Sequence, residues 1–176
     1  MRRFFIILTA LAVMAFLFAG AVYSEEAAKK ADHAYVGAKK CSSKACHKDK
    51  HTSWAETAHA GAFDKLSAEE QKKPECIKCH STGTLADGTL IEGIECEACH
   101  GPGKDYKSAK IMSKKKWKAD PEAQMKMAVD AGLIVPDEKV CVRCHTKEGN
   151  TNFKEFKFAE RVKLVHPVKE EKPAEK

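Results

Sequence analysis

Eight cysteines and eight histidines stand among the 176 residues, and their spacing has chemical meaning. Three times, two cysteines are separated by two residues and followed at once by a histidine. These stretches are Cys76-Ile77-Lys78-Cys79-His80, Cys96-Glu97-Ala98-Cys99-His100 and Cys141-Val142-Arg143-Cys144-His145. A stretched version runs from Cys41 to Cys46-His47, with four residues between its cysteines. The four motifs use every cysteine in the chain. Two thiols at this spacing can form thioethers with the two vinyl groups of one haem, and the adjacent histidine is carried under the iron as its proximal ligand. The pattern predicts four covalently attached haem c groups. Cys41, Cys46, Cys76, Cys79, Cys96, Cys99, Cys141 and Cys144 would hold the macrocycles. His47, His80, His100 and His145 would hold the irons. Zinc also takes cysteine and histidine, but it would need paired half-sites. It gives no reason for a histidine directly after the second cysteine four times over.

His33, His51, His59 and His166 remain. A low-spin electron-transfer haem takes a second strong axial ligand, and a free histidine is the usual donor. His59 and His166 are the leading candidates, followed by His51. His33 lies in a segment expected to be mobile. Met125 and Met127 could offer sulfur, but methionines at helical spacing are read as packing residues.

Short helices and loops must position these groups. Lys48 to Phe63 reads as one helix running out of the first motif. At about 100° per residue, His47, His51 and Trp54 share a face and His59 lies ~120° away. His47 and His51 therefore cannot ligate one iron from opposite sides. Trp54 is expected to pack, against a porphyrin. Ser67-Ala68-Glu69-Glu70 has capping-box spacing, opening a helix that Pro74 ends. Asp87-Gly88 between Thr84-Leu85 and Thr89-Leu90-Ile91 predicts a small hairpin. Glycines in Gly101-Pro102-Gly103 stop the third motif's helix and allow close backbone approach to a flat ligand. Lys114-Lys115-Lys116 reads as a solvated face. Asp120-Pro121 opens a helix and Gly132 stops it, with Met125, Ala128 and Val129 as its apolar stripe. Pro136-Asp137-Glu138 opens a helix into the fourth motif. Phe158, Val162 and Val165 form a last stripe, with His166 beside it before Pro167.

The bulk numbers agree with this picture. Met1-Arg2-Arg3, the apolar run Phe4–Ala19 and small residues up to Ser24 read as a signal peptide over 1–24. An uncleaved leader would be the one route to a membrane. Residues 25–34 form an expected mobile segment, 35–168 the tetrahaem domain and 169–176 a charged, disordered tail. Export to the periplasm suits both covalent haem attachment and the cysteine content. About 38 residues per haem is too few for a conventional core, so polypeptide must wrap the macrocycles. Arg2 and Arg3 supply two of the six net positive charges, and the haem propionates would reverse the sign of the remainder. No aromatic-interleaved basic motif points to nucleic acid.

Two stretches resemble the tetrahaem cytochrome c-554 family. One runs from Lys40-Cys41-Ser42-Ser43 through Trp54-Ala55-Glu56-Thr57-Ala58-His59-Ala60. The other is Gly93-Ile94-Glu95-Cys96-Glu97-Ala98-Cys99-His100-Gly101-Pro102-Gly103. Motif order and number match over roughly residues 35–168. The resemblance implies a mainly α fold of short helices and loops around four stacked haems, with at most one small hairpin. It implies periplasmic electron transfer with redox protein partners, three bis-histidine haems, and an open five-coordinate haem at His80. His59 and His166 match the family's distal ligands. The chain departs from the pattern in the longer first motif. It also has Lys110 where the family carries a distal histidine beyond the third motif, leaving His51 or His33 to substitute, or that haem to differ in spin state. Two other functions fit the same residues: reduction of a small ligand such as nitric oxide or nitrite at an open iron, and a homo-oligomeric conducting filament.

Overall fold

The computed structural model describes residues 33–166. The leader, most of the segment predicted over 25–34 and the tail over 169–176 lie outside the described residues. The fold is mainly α with one small sheet. Helix α1 spans Lys48–Ala55 and α2 spans Pro74–His80. Strands β1, Ser81–Thr84, and β2, Leu90–Glu92, pair antiparallel. Helix α3 spans Cys96–His100, α4 Lys114–Ala119, α5 Pro121–Asp130, α6 Glu138–Cys141 and α7 Phe158–Arg161. Among the described residues no helix is long and apolar enough to cross a membrane.

The hairpin forms where its turn residues predict it. Asp87 Oδ1 accepts from Thr89 N–H at 2.9 Å, and Leu85 N–H donates to Thr89 O at 2.8 Å. The sheet then ties the second motif to the third. Thr82 Oγ1 donates to Gly93 O at 2.8 Å and accepts from Glu95 N–H at 2.7 Å. Gly93 sits at φ +78°, and a Cβ there would fall 2.6 Å from Ala60 O. Only glycine lets these two backbones meet.

Helix α1 is shorter than the predicted Lys48–Phe63. It stops at Ala55 because Thr57 takes the Trp54 carbonyl with both its N–H, at 2.8 Å, and its hydroxyl, at 2.7 Å. Side chains that bond the backbone locally compete with helix in this way. His59 therefore lies on a turn, and the angular relation drawn from one continuous helix does not hold. Pro74 opens α2 rather than ending a helix. Ser67 and Glu70 do make the reciprocal cap, but only a single 3-10 turn, Glu70–Lys72, follows. Proline suits the first helical position, where its missing N–H is not needed.

Asp120 caps α5 as expected, accepting from Ala123 N–H at 3.0 Å. The stripe on α5 is rotated from the prediction: Gln124 and Ala128 are buried, while Met125 and Val129 are exposed. The reason is the partner surface. Ala128 packs with Tyr106 and Ile111, flanked by Met112, Trp117, Met127 and Leu133, and small Ala128 allows the close approach. Lys114, Lys115 and Lys116 on α4 are exposed. Helix α7 passes into a 3-10 turn, Val162–Leu164, so Val162 is exposed while Phe158 and Val165 are half-buried. Seven apolar residues are buried among the described ones: Ala38, Trp54, Phe63, Ile91, Tyr106, Ile111 and Ala128. That is a small core for this length of chain.

Candidate haem-binding centre

The four motifs are presented in three ways. The second and third lie on the short helices α2 and α3. The fourth begins on α6, where Asp137 caps the helix by accepting from Val140 N–H, and ends in a turn closed by His145 N–H donating to Cys141 O at 3.0 Å. The first is a loop, yet His47 N–H donates to Cys41 O at 3.1 Å. The same bond therefore joins leading cysteine and histidine in the stretched and regular motifs. The extra length bulges outward without separating these ends. All eight thiols are free of disulfides.

Two of the motif imidazoles are held through Nδ1. His80 Nδ1 lies 2.6 Å from Ala62 O, and His100 Nδ1 lies 3.3 Å from Ile134 O. An Nδ1–H donated to a carbonyl leaves Nε2 as the free lone pair, the form that binds a metal. Burial lowers the pKa of His100 and of His145, which favours neutral imidazole. His145 is also stacked on Phe156, with centroids 4.6 Å apart and planes at 18°.

His59 faces His145 with ring centroids 6.0 Å apart. Two imidazoles on opposite sides of one metal, each bonded at about 2 Å, have ring centres about 6 Å apart. Burial lowers His59's pKa, with His145 as a second cause. His166 stands beside His100, His47 and Lys50, and burial lowers its pKa as well. Its Nδ1 is buried with no hydrogen-bond partner among the described residues. His51 is half-buried and tilts against Trp54 at 5.4 Å. Trp54 itself donates to Ile94 O at 2.8 Å, fixing α1 to the segment before the third motif. His33 is anchored by Asp105, with Nδ1 to Oδ2 at 2.7 Å, and lies over Gly132. Lys110, in the loop after the third motif, is exposed.

Sulfur contacts give the order of the motifs in space. Cys41 of the first lies beside Cys96 of the third, and this neighbour pushes the Cys96 thiol up and the Cys41 thiol down. Cys79 of the second lies beside Cys144 of the fourth; burial and then this neighbour push Cys144 up to about 12. Cys99 of the third lies near Cys141 of the fourth, and Arg143 donates to Ala98 O at 2.7 Å across the same boundary. The order is first, third, fourth, second. Among the described residues no three His, Cys, Asp or Glu side chains gather to hold a bare ion. Free cysteine pairs, neutral imidazoles with one nitrogen engaged and an opposed histidine pair fit haem c.

Two acids escaped the sequence reading. Glu97 and Glu95 sit in and before the third motif, and their carboxylates bind the backbone leading into the first. Val36, Gly37 and Gly103 N–H groups donate to Glu97, and Ala38 N–H donates to Glu95 at 2.6 Å. No charge pattern marks them; all the partners are backbone amides, and those of Val36, Gly37 and Ala38 lie about 60 residues away. The glycines after the motif are also closely packed. A Cβ on Gly101 would fall 2.7 Å from Gly132 O, and one on Gly103 3.0 Å from Glu97 Oε1. Close approach here is to the protein's own chain.

This fold and donor set define a multihaem c-type cytochrome. Residues 40–101 match the family described as cytochrome c554 and c-prime. Cytochrome c-554 of Nitrosomonas europaea is 29% identical over 140 residues, covering 65% of this chain and 59% of that protein. The chain thus spans less than two thirds of the curated relative's length. The structure of reduced cytochrome c554 from the same organism superposes with a TM-score of 0.56 at 25% identity, covering 77% of this chain and 85% of that one. The chain is thus similar to cytochrome c554 in part of its sequence and in fold.

Proposed function

We propose that this chain is an exported, periplasmic tetrahaem electron carrier, exchanging electrons with redox protein partners through stacked haems. Haem c supplies reversible one-electron exchange at its iron; the chain's task is to hold, orient and tune it. The observation that carries the reading is the continuous order of sulfur contacts, Cys41 to Cys96, Cys99 to Cys141 and Cys144 to Cys79. Thioether positions that touch across motifs support macrocycles in edge contact along one path, with no site isolated.

The side chains support roles within that reading. Ala62 O and Ile134 O orient His80 and His100. His59 serves the iron held by His145, across the 6.0 Å pair. His166 serves the His100 or His47 iron, with its buried, unpartnered Nδ1 as the donor. His51, tilted on Trp54 beside the first motif, acts as a packing residue. The test is intact mass of the exported holoprotein combined with a spin-state-resolved spectrum. Four haem additions and a chain shortened by the 1–24 leader are expected, with most irons low-spin. Fewer than four haems, or an unmodified Cys41, would overturn the tetrahaem assignment. Wholly high-spin irons would overturn paired histidine ligation.

A further inference from the structure

We infer that Glu97 is a positioning and tuning residue for the first and third haems together, docking one motif on the other and holding the electron affinity of that pair down. The inference rests on the tetrahaem reading. Glu97 lies between the two cysteines of the third motif and is 1% exposed, the largest fully buried side chain among the described residues. Both its oxygens accept from Val36 N–H, at 3.1 Å each. Oε2 also accepts from Gly37 N–H at 2.7 Å, and Oε1 from Gly103 N–H. An acceptor-only carboxylate is thus matched to converging backbone donors.

Val36 and Gly37 precede the first motif, and Gly103 follows the third. Gly37, at φ +78°, turns the chain into the 3-10 turn Ala38–Lys40, which delivers Cys41 to Cys96. Glu95 extends the clamp to Ala38. Tyr106 closes the far side, donating to Gly101 O at 2.8 Å. Glu97 therefore sits where two haem attachment points meet.

Its charge follows the same geometry. A ferric haem loses one unit of positive charge when it takes an electron, so a nearby carboxylate favours the oxidised form. Glu97 forms no ion pair; those among the described residues involve other acids. Lys107 acts on Cys41 in the opposite sense, but it is exposed and screened by water and salt. The buried carboxylate is screened far less and should dominate.

The test is a spectroscopically monitored redox titration of the full holoprotein carrying Glu97→Gln, with haem count by intact mass. Two of four midpoint potentials should rise, the electron-uptake constant increasing about tenfold, which is ~59 mV for one electron. The other two should stay. Glu97→Asp, which keeps the charge, should restore them at least partly. Unchanged potentials, or an equal shift of all four, would overturn the inference, as would Glu97→Asp behaving like Glu97→Gln. If Glu97→Gln loses haem, Glu95→Gln replaces it; a smaller rise in the same two potentials supports the inference and none refutes it. A wild-type mass showing fewer than four haems would instead refute the reading beneath it.

Discussion

His59 and His145 reach each other from positions 86 residues apart in numbering, on a turn after α1 and at the end of the fourth motif. Their 6.0 Å separation suits two ligands of one iron. His59→Ala should therefore convert one low-spin haem to high-spin while haem count stays the same. Electron paramagnetic resonance of the oxidised protein reads this directly, and a wild-type spectrum would remove His59 as a ligand. His166 illustrates the same logic with less symmetry. Its Nδ1 is buried with no partner among the described residues, and an orphaned polar atom in a native fold calls for an occupant.

At the scale of elements, the unusual first motif is the most informative. Its histidine N–H still closes onto the leading cysteine's carbonyl, at 3.1 Å, as in the fourth motif at 3.0 Å. The inserted length is thus a solvent-facing bulge, with Ser43, Lys44, Ala45 and Cys46 exposed. Deleting Lys44 and Ala45 would leave Cys41-Ser42-Ser43 followed directly by Cys46-His47. That variant should keep four haems by intact mass and an unchanged number of low-spin irons. Loss of one haem would mean that the longer spacing is required. Other elements are held by single residues. Gly93 lets β2 pass the turn at Ala60, and Thr57 ends α1 so that His59 and Ile94 can pair through their backbones at 3.0 Å.

For the whole molecule, the decisive quantity is the smallness of the protein core. Seven buried apolar residues, among them two alanine-sized groups, Ala38 and Ala128, cannot offset the conformational entropy of more than a hundred ordered residues, at about 1–2 kcal/mol each. In the tetrahaem reading proposed above, haem contacts and thioether cross-links supply the remainder. Protein expressed without haem attachment should lack a cooperative thermal transition by circular dichroism. A cooperative melt of the haem-free chain would show that the polypeptide core suffices. Linkage works the same way in small metal domains, where binding energy is folding energy.

The hairpin and the caps at Asp120 and Asp137 could be read from sequence. Each depends on residues within a few positions of one another, so local spacing carries the information. The end of α1, the exposure of Met125 and Val129 beside a buried Ala128, and the role of Pro74 could not. They depend on competition between local and distant partners. Tertiary structure also decided which motif lies beside which, bringing Cys41 to Cys96 and Cys79 to Cys144. It placed Glu97 under the first motif as well, through bonds to backbone amides, which every residue but proline carries and which therefore leave no signature in the sequence.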